Sequence, residues 1–116
     1  MDFHIYGVPE KPTLLLLPGL GVSHEIFLPL MELLKEDFRI VTSDIDGFLL
    51  GKPSRFTSVD DQAAQAIRYV QENLDGRLDI AYGLSLGGKI LSRMLERDEI
   101  VISHAIMDAI SGLLFY

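Results

Sequence analysis

The chain has 116 residues, no cysteine and a formal net charge of −7. Its length suits one domain, and its acidic balance argues against a nucleic-acid-binding protein, which is expected to carry a basic face. The lack of cysteine excludes disulfides, thiolate zinc sites and thiol catalysis. The apolar runs are too short to span a bilayer, and the first residues do not form the pattern of a secretory signal. We therefore expect a cytoplasmic protein that binds neither nucleic acid nor membrane.

The first third of the chain predicts two strands, a helix and a third strand. Residues 2–7 predict a short edge strand. The continuous apolar run at 13–17 suits a strand that is covered on both faces, as in a parallel sheet. Apolar residues then recur at helical spacing over 23–37, with Ser23 as the predicted N-cap. The third strand is predicted over 38–43.

The rest of the chain continues the alternation of helices and strands. After a loop rich in glycine, proline and serine, it predicts a helix over 57–76, a strand over 78–82, a helix over 86–99 and a strand over 100–107. This order predicts an α/β protein of one domain, residues 1–116, with three α/β/α layers around a mostly parallel sheet. Sites in such sheets lie at the carboxyl ends of the strands.

A serine between two glycines marks one of these strand ends. The segment Gly83-Leu84-Ser85-Leu86-Gly87 lies between a predicted strand and a predicted helix, which is typical of a nucleophile elbow. The glycines stand where side chains would collide with the sharp turn. The Leu86 N–H would be one oxyanion donor, and the loop after strand 13–17 would supply the second. The alternative is a strand-to-helix turn with an idle serine.

With these residues in view, the chain resembles the N-terminal half of an α/β-hydrolase fold protein. The segment LLLLPGLGVSHEIF resembles the oxyanion loop of that family, with Pro18 where a histidine is usual, and it implies Leu20 N–H as the second oxyanion donor. The segment SDIDGFLLGKPS resembles the Asp-x-x-Gly loop at Asp44 and Gly47. The segment AYGLSLGG implies that Ser85 is the nucleophile of a serine hydrolase. Such an enzyme would cleave a small carboxylic ester or thioester through an acyl-enzyme, without a cofactor.

The catalytic base is harder to place. The family arranges its triad in the order serine, acid, histidine, and the only histidine after Ser85 is His104, which we expect to be a core or sheet-face residue. His4 is expected to be structural or solvent-facing. His24 opens a helix beside the oxyanion loop and is a second candidate for the base, although its place at the start of the helix does not aim it at the hydroxyl of Ser85. Asp108 ends the last strand and is the candidate triad acid, with a solvated aspartate as the alternative.

The other acidic residues predict no catalytic role. Asp44 and Asp46 are expected to shape their loop by accepting hydrogen bonds from backbone N–H groups. No cluster of histidine, aspartate and glutamate has metal-ligand spacing in the sequence, so we expect no metal site.

The resemblance, together with the missing position for the catalytic histidine, implies that the chain is the N-terminal part of a longer hydrolase and is inactive alone. The resemblance implies that the lid and the C-terminal strands are absent, and that 109–116 would begin the lid. The last strand would then be an exposed edge and could support self-association. One alternative is a non-catalytic module that keeps the serine turn. Another is a nucleotide-binding domain, but its glycine fingerprint fails at His24.

Overall fold

The computed structural model describes residues 1–109, so the predicted start of a lid lies almost wholly outside the described residues. The strands are β1 (Asp2–Gly7), β2 (Thr13–Leu17), β3 (Arg39–Asp44), β4 (Arg77–Leu84) and β5 (Val101–Asp108). They form one five-stranded sheet with the strand order β1-β3-β2-β4-β5. Edge strand β1 is antiparallel to β3, and the other pairs are parallel. This confirms the predicted mostly parallel sheet.

Two of the helices follow the sequence prediction closely. They are α2 (Val59–Asn73) and α3 (Leu86–Arg97). The hydroxyl of Ser58 caps α2 by accepting a hydrogen bond from the backbone N–H of Asp61 at 3.0 Å. Such a cap satisfies one of the N–H groups that have no partner inside the helix.

The helix predicted over 23–37 is shorter than expected. A 3-10 helix, His24–Phe27, leads into α1 (Leu28–Leu34), and Ser23 caps the 3-10 turn. Pro29 lies in the first turn of α1. Proline has no backbone N–H and therefore cannot donate a helical hydrogen bond to the preceding turn, which agrees with a start of α1 at this point.

Strand β2 is buried on both faces, as the apolar run predicted. On one face, Leu15 and Leu17 pack into a large core beneath α2 and α3. On the other face, Leu14 and Leu16 join a smaller core with buried side chains from the 3-10 helix and α1. The sheet therefore lies between two helical layers, as predicted. The smaller layer leaves three apolar residues of the predicted helix exposed: Ile26, Leu30 and Leu33.

Strand β5 forms the other edge of the sheet and is exposed along most of its length. His104, expected in the core or on a sheet face, lies on this exposed strand, because β5 is covered much less than β2. The exposure agrees with the predicted open edge, and self-association through it stays a prediction. Within residues 1–109, the helices are too short or too polar to cross a membrane.

Candidate active site

The turn between β4 and α3, residues 83–88, is called the Ser85 turn here. Ser85 has φ +54° and ψ −113°, a backbone conformation that residues other than glycine rarely adopt. A Cβ on Gly83 would lie 2.5 Å from the carbonyl oxygen of Gly87. A Cβ on Gly87 would lie 2.3 Å from the carbonyl oxygen of Leu17 in β2. The turn is therefore tight enough to require both glycines.

Three strand ends meet at Ser85. Its backbone N–H donates a hydrogen bond to the carbonyl oxygen of Asp108 at the end of β5, at 2.8 Å. In the loop after β2, an added Cβ on Gly19 would lie 3.5 Å from the Cβ of Ser85, which is van der Waals contact. The hydroxyl of Ser85 does not cap α3. This hydroxyl has no hydrogen bond within residues 1–109, so it does not stabilise the turn through one in that part of the chain.

The two predicted oxyanion donors border the serine. Leu86 is the first residue of α3 and follows Ser85 directly. Leu20 follows Gly19 in the loop that lies beside Ser85, and its side chain is exposed. The structure thus brings both residues to the correct edge of the sheet, and their role as donors stays a prediction.

Asp108, the predicted acid, lies beside the Ser85 turn at the end of β5. Its carboxylate accepts a hydrogen bond from the hydroxyl of Tyr82 at 2.7 Å. Burial and then this hydrogen bond raise the pKa of Tyr82 to about 12. Tyr82 therefore remains a proton donor at neutral pH and fixes one oxygen of the Asp108 carboxylate.

A second group of side chains lies at the end of β3. We call His4, His24 and Asp44 the Asp44 cluster. Nε2 of His4 and Nδ1 of His24 each lie 2.9 Å from Oδ2 of Asp44. The backbone N–H of His24 donates to Oδ1 of Asp44 at 2.6 Å, and the two rings stand 4.2 Å apart between centroids. Asp44 is thus hydrogen-bonded to Nδ1 of His24, the residue that the sequence analysis considered as a possible catalytic base.

The Asp44 carboxyl is buried and ionised. Burial raises its pKa, but the hydrogen bonds from the His24 backbone and from the His4 and His24 rings outweigh this effect and lower the pKa below 3.8. Its backbone donor, His24, begins the 3-10 helix that follows the loop after β2. Asp44 therefore holds the start of this helix to the end of β3.

One expectation about the acidic residues is wrong. Asp46 accepts no backbone N–H of its own loop within residues 1–109: the N-terminal amine of Met1 donates to Oδ1 at 2.8 Å, and Nε2 of Gln62 and of Gln65 donate to Oδ2 at 2.8 and 2.9 Å. The sequence showed no cluster with metal-ligand spacing, but in the structure the ligand-type atoms of the Asp44 cluster all lie within 4.8 Å of one another. The sequence missed this cluster because its members are 20 to 40 residues apart.

A model of the alpha/beta hydrolase fold family matches residues 12–114. The chain belongs to the α/β-hydrolase fold family. This membership confirms the predicted resemblance and favours a hydrolase over the nucleotide-binding alternative. The search of curated proteins found no match to this chain.

Solved structures agree with the family assignment. A candidate alpha/beta hydrolase family protein from Desulfitobacterium hafniense is 24% identical with a TM-score of 0.87, and the match covers 92% of this chain and 43% of that one. A candidate lipase from Acinetobacter baumannii AYE is 27% identical with a TM-score of 0.80, covering 90% and 36%. A structure from a study of carboxylesterases of the thaumarchaeon Nitrososphaera gargenis is 20% identical with a TM-score of 0.78, covering 91% and 40%. The chain therefore spans about two-fifths of the length of these proteins.

Proposed function

We propose that Ser85 is the nucleophile of a serine hydrolase of the carboxylic ester or thioester class. The observation that carries the proposal is the conformation of Ser85, at φ +54° in a turn that has room only for glycine at positions 83 and 87. Strained backbone of this kind is typical of functional sites. The hydroxyl is also free of structural bonds within residues 1–109. A lipase candidate and carboxylesterases among the similar structures support the same substrate class.

The proposed reaction uses the three strand ends at Ser85. Oγ of Ser85 attacks the carbonyl carbon of the substrate and forms a tetrahedral intermediate. The backbone N–H groups of Leu20 and Leu86 stabilise the negative charge that develops on its oxygen. The alcohol or thiol then leaves, and water hydrolyses the resulting acyl-enzyme. The N-terminus of α3 favours the same negative charge through the helix dipole.

We further propose that the catalytic base lies outside residues 1–109, in a longer protein. Serine needs a neighbouring base to become a nucleophile, and no histidine is hydrogen-bonded to Ser85 within residues 1–109. His4 and His24 bind Asp44, and His104 lies on the exposed strand β5. The similar structures are more than twice as long as this chain, which leaves room for such a segment. In this proposal Asp108 is the acid that orients the base.

A fluorophosphonate probe, which reacts only with activated serines, tests the proposal on the native full-length protein. We expect one adduct at Ser85 by peptide mass spectrometry. The variant Ser85→Ala should lose the adduct and ester hydrolysis. The control variant Ser92→Ala changes a half-buried serine of the same helix and should retain both. An unlabelled native protein would contradict the proposal and support the alternative of a non-catalytic module.

A further inference from the structure

We propose that His4, His24 and Asp44 bind one divalent metal ion with the ligand preferences of Zn²⁺. Two imidazoles and one carboxylate are a ligand set that zinc accepts readily, with a water molecule completing a tetrahedral site. The proposal concerns a different group of side chains from the Ser85 turn and does not depend on the proposed hydrolase activity.

The distances within the Asp44 cluster suit such an ion. Nε2 of His4 and Nδ1 of His24 both stand 2.9 Å from Oδ2 of Asp44, and the ligand-type atoms all lie within 4.8 Å of one another. In a tetrahedral zinc site with bonds of about 2.1 Å, the ligand atoms stand roughly 3.4 Å apart. Each of these two N–O distances would therefore lengthen by roughly 0.5 Å when the ion binds.

The surroundings prepare the carboxylate for this role. The side chain of Asp44 is 2% exposed, and its Oδ1 already accepts a hydrogen bond from the backbone N–H of His24. Metal-ligating carboxylates are commonly held by such outer hydrogen bonds. Oδ2 remains for the metal. The side chain of His4 is 34% exposed, which gives the ion and its water a path from solvent.

A buried hydroxyl beside the cluster provides a second, independent observation. Oγ1 of Thr42 is buried and has no hydrogen-bond partner within residues 1–109. Thr42 lies directly opposite His4 in the β1–β3 register, and it shares a face of β3 with Asp44, two residues along the strand. Buried hydroxyls are normally hydrogen-bonded. A water molecule on the proposed ion would supply a partner for this one.

The protons of the cluster can be accounted for. A neutral imidazole that now directs an N–H at Asp44 can bind the ion after its proton moves to the other ring nitrogen, which is Nδ1 of His4 or Nε2 of His24. A protonated ring would release one proton on binding. The bound ion would join β1, β3 and the loop after β2, and that loop contains Leu20.

Zinc binding to the untagged full-length protein tests the proposal. After treatment with a chelator, the protein is titrated with ZnCl₂ by calorimetry and with CoCl₂ by visible absorption. We expect one ion per chain at micromolar concentration and the intense d–d bands of tetrahedral Co²⁺. The variants His4→Ala and His24→Ala should bind at least about tenfold more weakly and lose these bands.

Two controls make the result decisive. His104→Ala removes a histidine outside the cluster and should bind zinc like the wild type. Ser85→Ala should also bind zinc, whether or not it loses probe labelling, which separates this proposal from the proposed function. His4 lies on an edge strand and is partly exposed, so His4→Ala should fold even if His24→Ala does not. A wild-type protein without micromolar zinc binding, or an unchanged affinity in His4→Ala, would overturn the proposal.

Discussion

The Ser85 turn and the Asp44 cluster lie at the carboxyl ends of two parallel strands, yet they are built in opposite ways. The turn is held by backbone contacts that leave no room for a side chain at Gly83 or Gly87, and the hydroxyl of Ser85 has no hydrogen bond within residues 1–109. The cluster is held by one carboxylate, whose two oxygens bind the backbone N–H of His24 and the rings of His4 and His24. The first is therefore sensitive to added volume, and the second to lost charge.

The largest effect is expected from adding a methyl group to the Ser85 turn. In Gly87→Ala the new Cβ would meet the backbone of Leu17 and Pro18 at 2.3 to 2.6 Å, and backbone on both sides cannot easily move. We expect the free energy of unfolding to fall by more than about 3 kcal/mol, measured by urea denaturation. In the control Gly51→Ala, position 51 has φ +71°, but the new Cβ would meet no atom of residues 1–109 within 4 Å, and the change should cost only about 1–2 kcal/mol. Equal losses in the two variants would refute the volume argument.

Removing the charge of Asp44 should have the next largest effect. In a metal-free buffer at neutral pH, Asp44→Asn should lower the free energy of unfolding by about 2–3 kcal/mol, because the amide replaces charge-assisted hydrogen bonds. The pKa of Asp44 is lowered in the folded state. Its stabilising effect is therefore complete above the unfolded pKa of about 4 and is lost as the pH falls through the folded value.

The acid-unfolding profile separates this effect from a general loss of stability. The wild type should lose more unfolding free energy than Asp44→Asn as the pH falls below about 4. The exposed Asp98 has a left-handed backbone conformation, which asparagine also tolerates. Asp98→Asn should therefore change the stability by less than about 0.5 kcal/mol and keep the acid profile of the wild type. Identical acid profiles for Asp44→Asn and the wild type would show that the carboxylate does not stabilise the cluster.

The smallest effect concerns the strain at Ser85. Glycine adopts positive φ without strain, so Ser85→Gly should be more stable to urea than Ser85→Ala by about 1 kcal/mol. Ser92 lies within α3, where glycine is less favourable than alanine by about 0.5–1 kcal/mol. The order of the two variants should therefore reverse at Ser92. The same order at both positions would mean that φ +54° stores no strain.

The sequence predicted what short segments determine. The four leucines of β2 indicated burial on both faces, and five residues around Ser85 indicated the tight turn, because each pattern follows from local geometry. The helix after Ser23 was predicted less well. Leu30 and Leu33 have helical spacing, but the small helical layer on that face of the sheet does not bury them.

The Asp44 cluster could not be predicted in the same way. His4 comes beside Asp44 only because β1 pairs antiparallel with β3, and His24 only because the loop after β2 crosses the end of β3. Neither pairing has a short-range pattern. In the sequence the two histidines therefore looked isolated, and Asp44 was expected only to match a family loop and to shape that loop.

The central position of β2 also makes the order of synthesis matter. Both of its neighbours, β3 and β4, follow it in the chain, and Leu17 pairs with Gly83. At about 5–20 residues per second, a ribosome completes β4 roughly 3 to 13 s after Leu17. During this interval the run of four leucines has at least one unpaired edge and little cover. It is therefore the segment on which we expect chaperones to act, and the one most exposed to aggregation during translation.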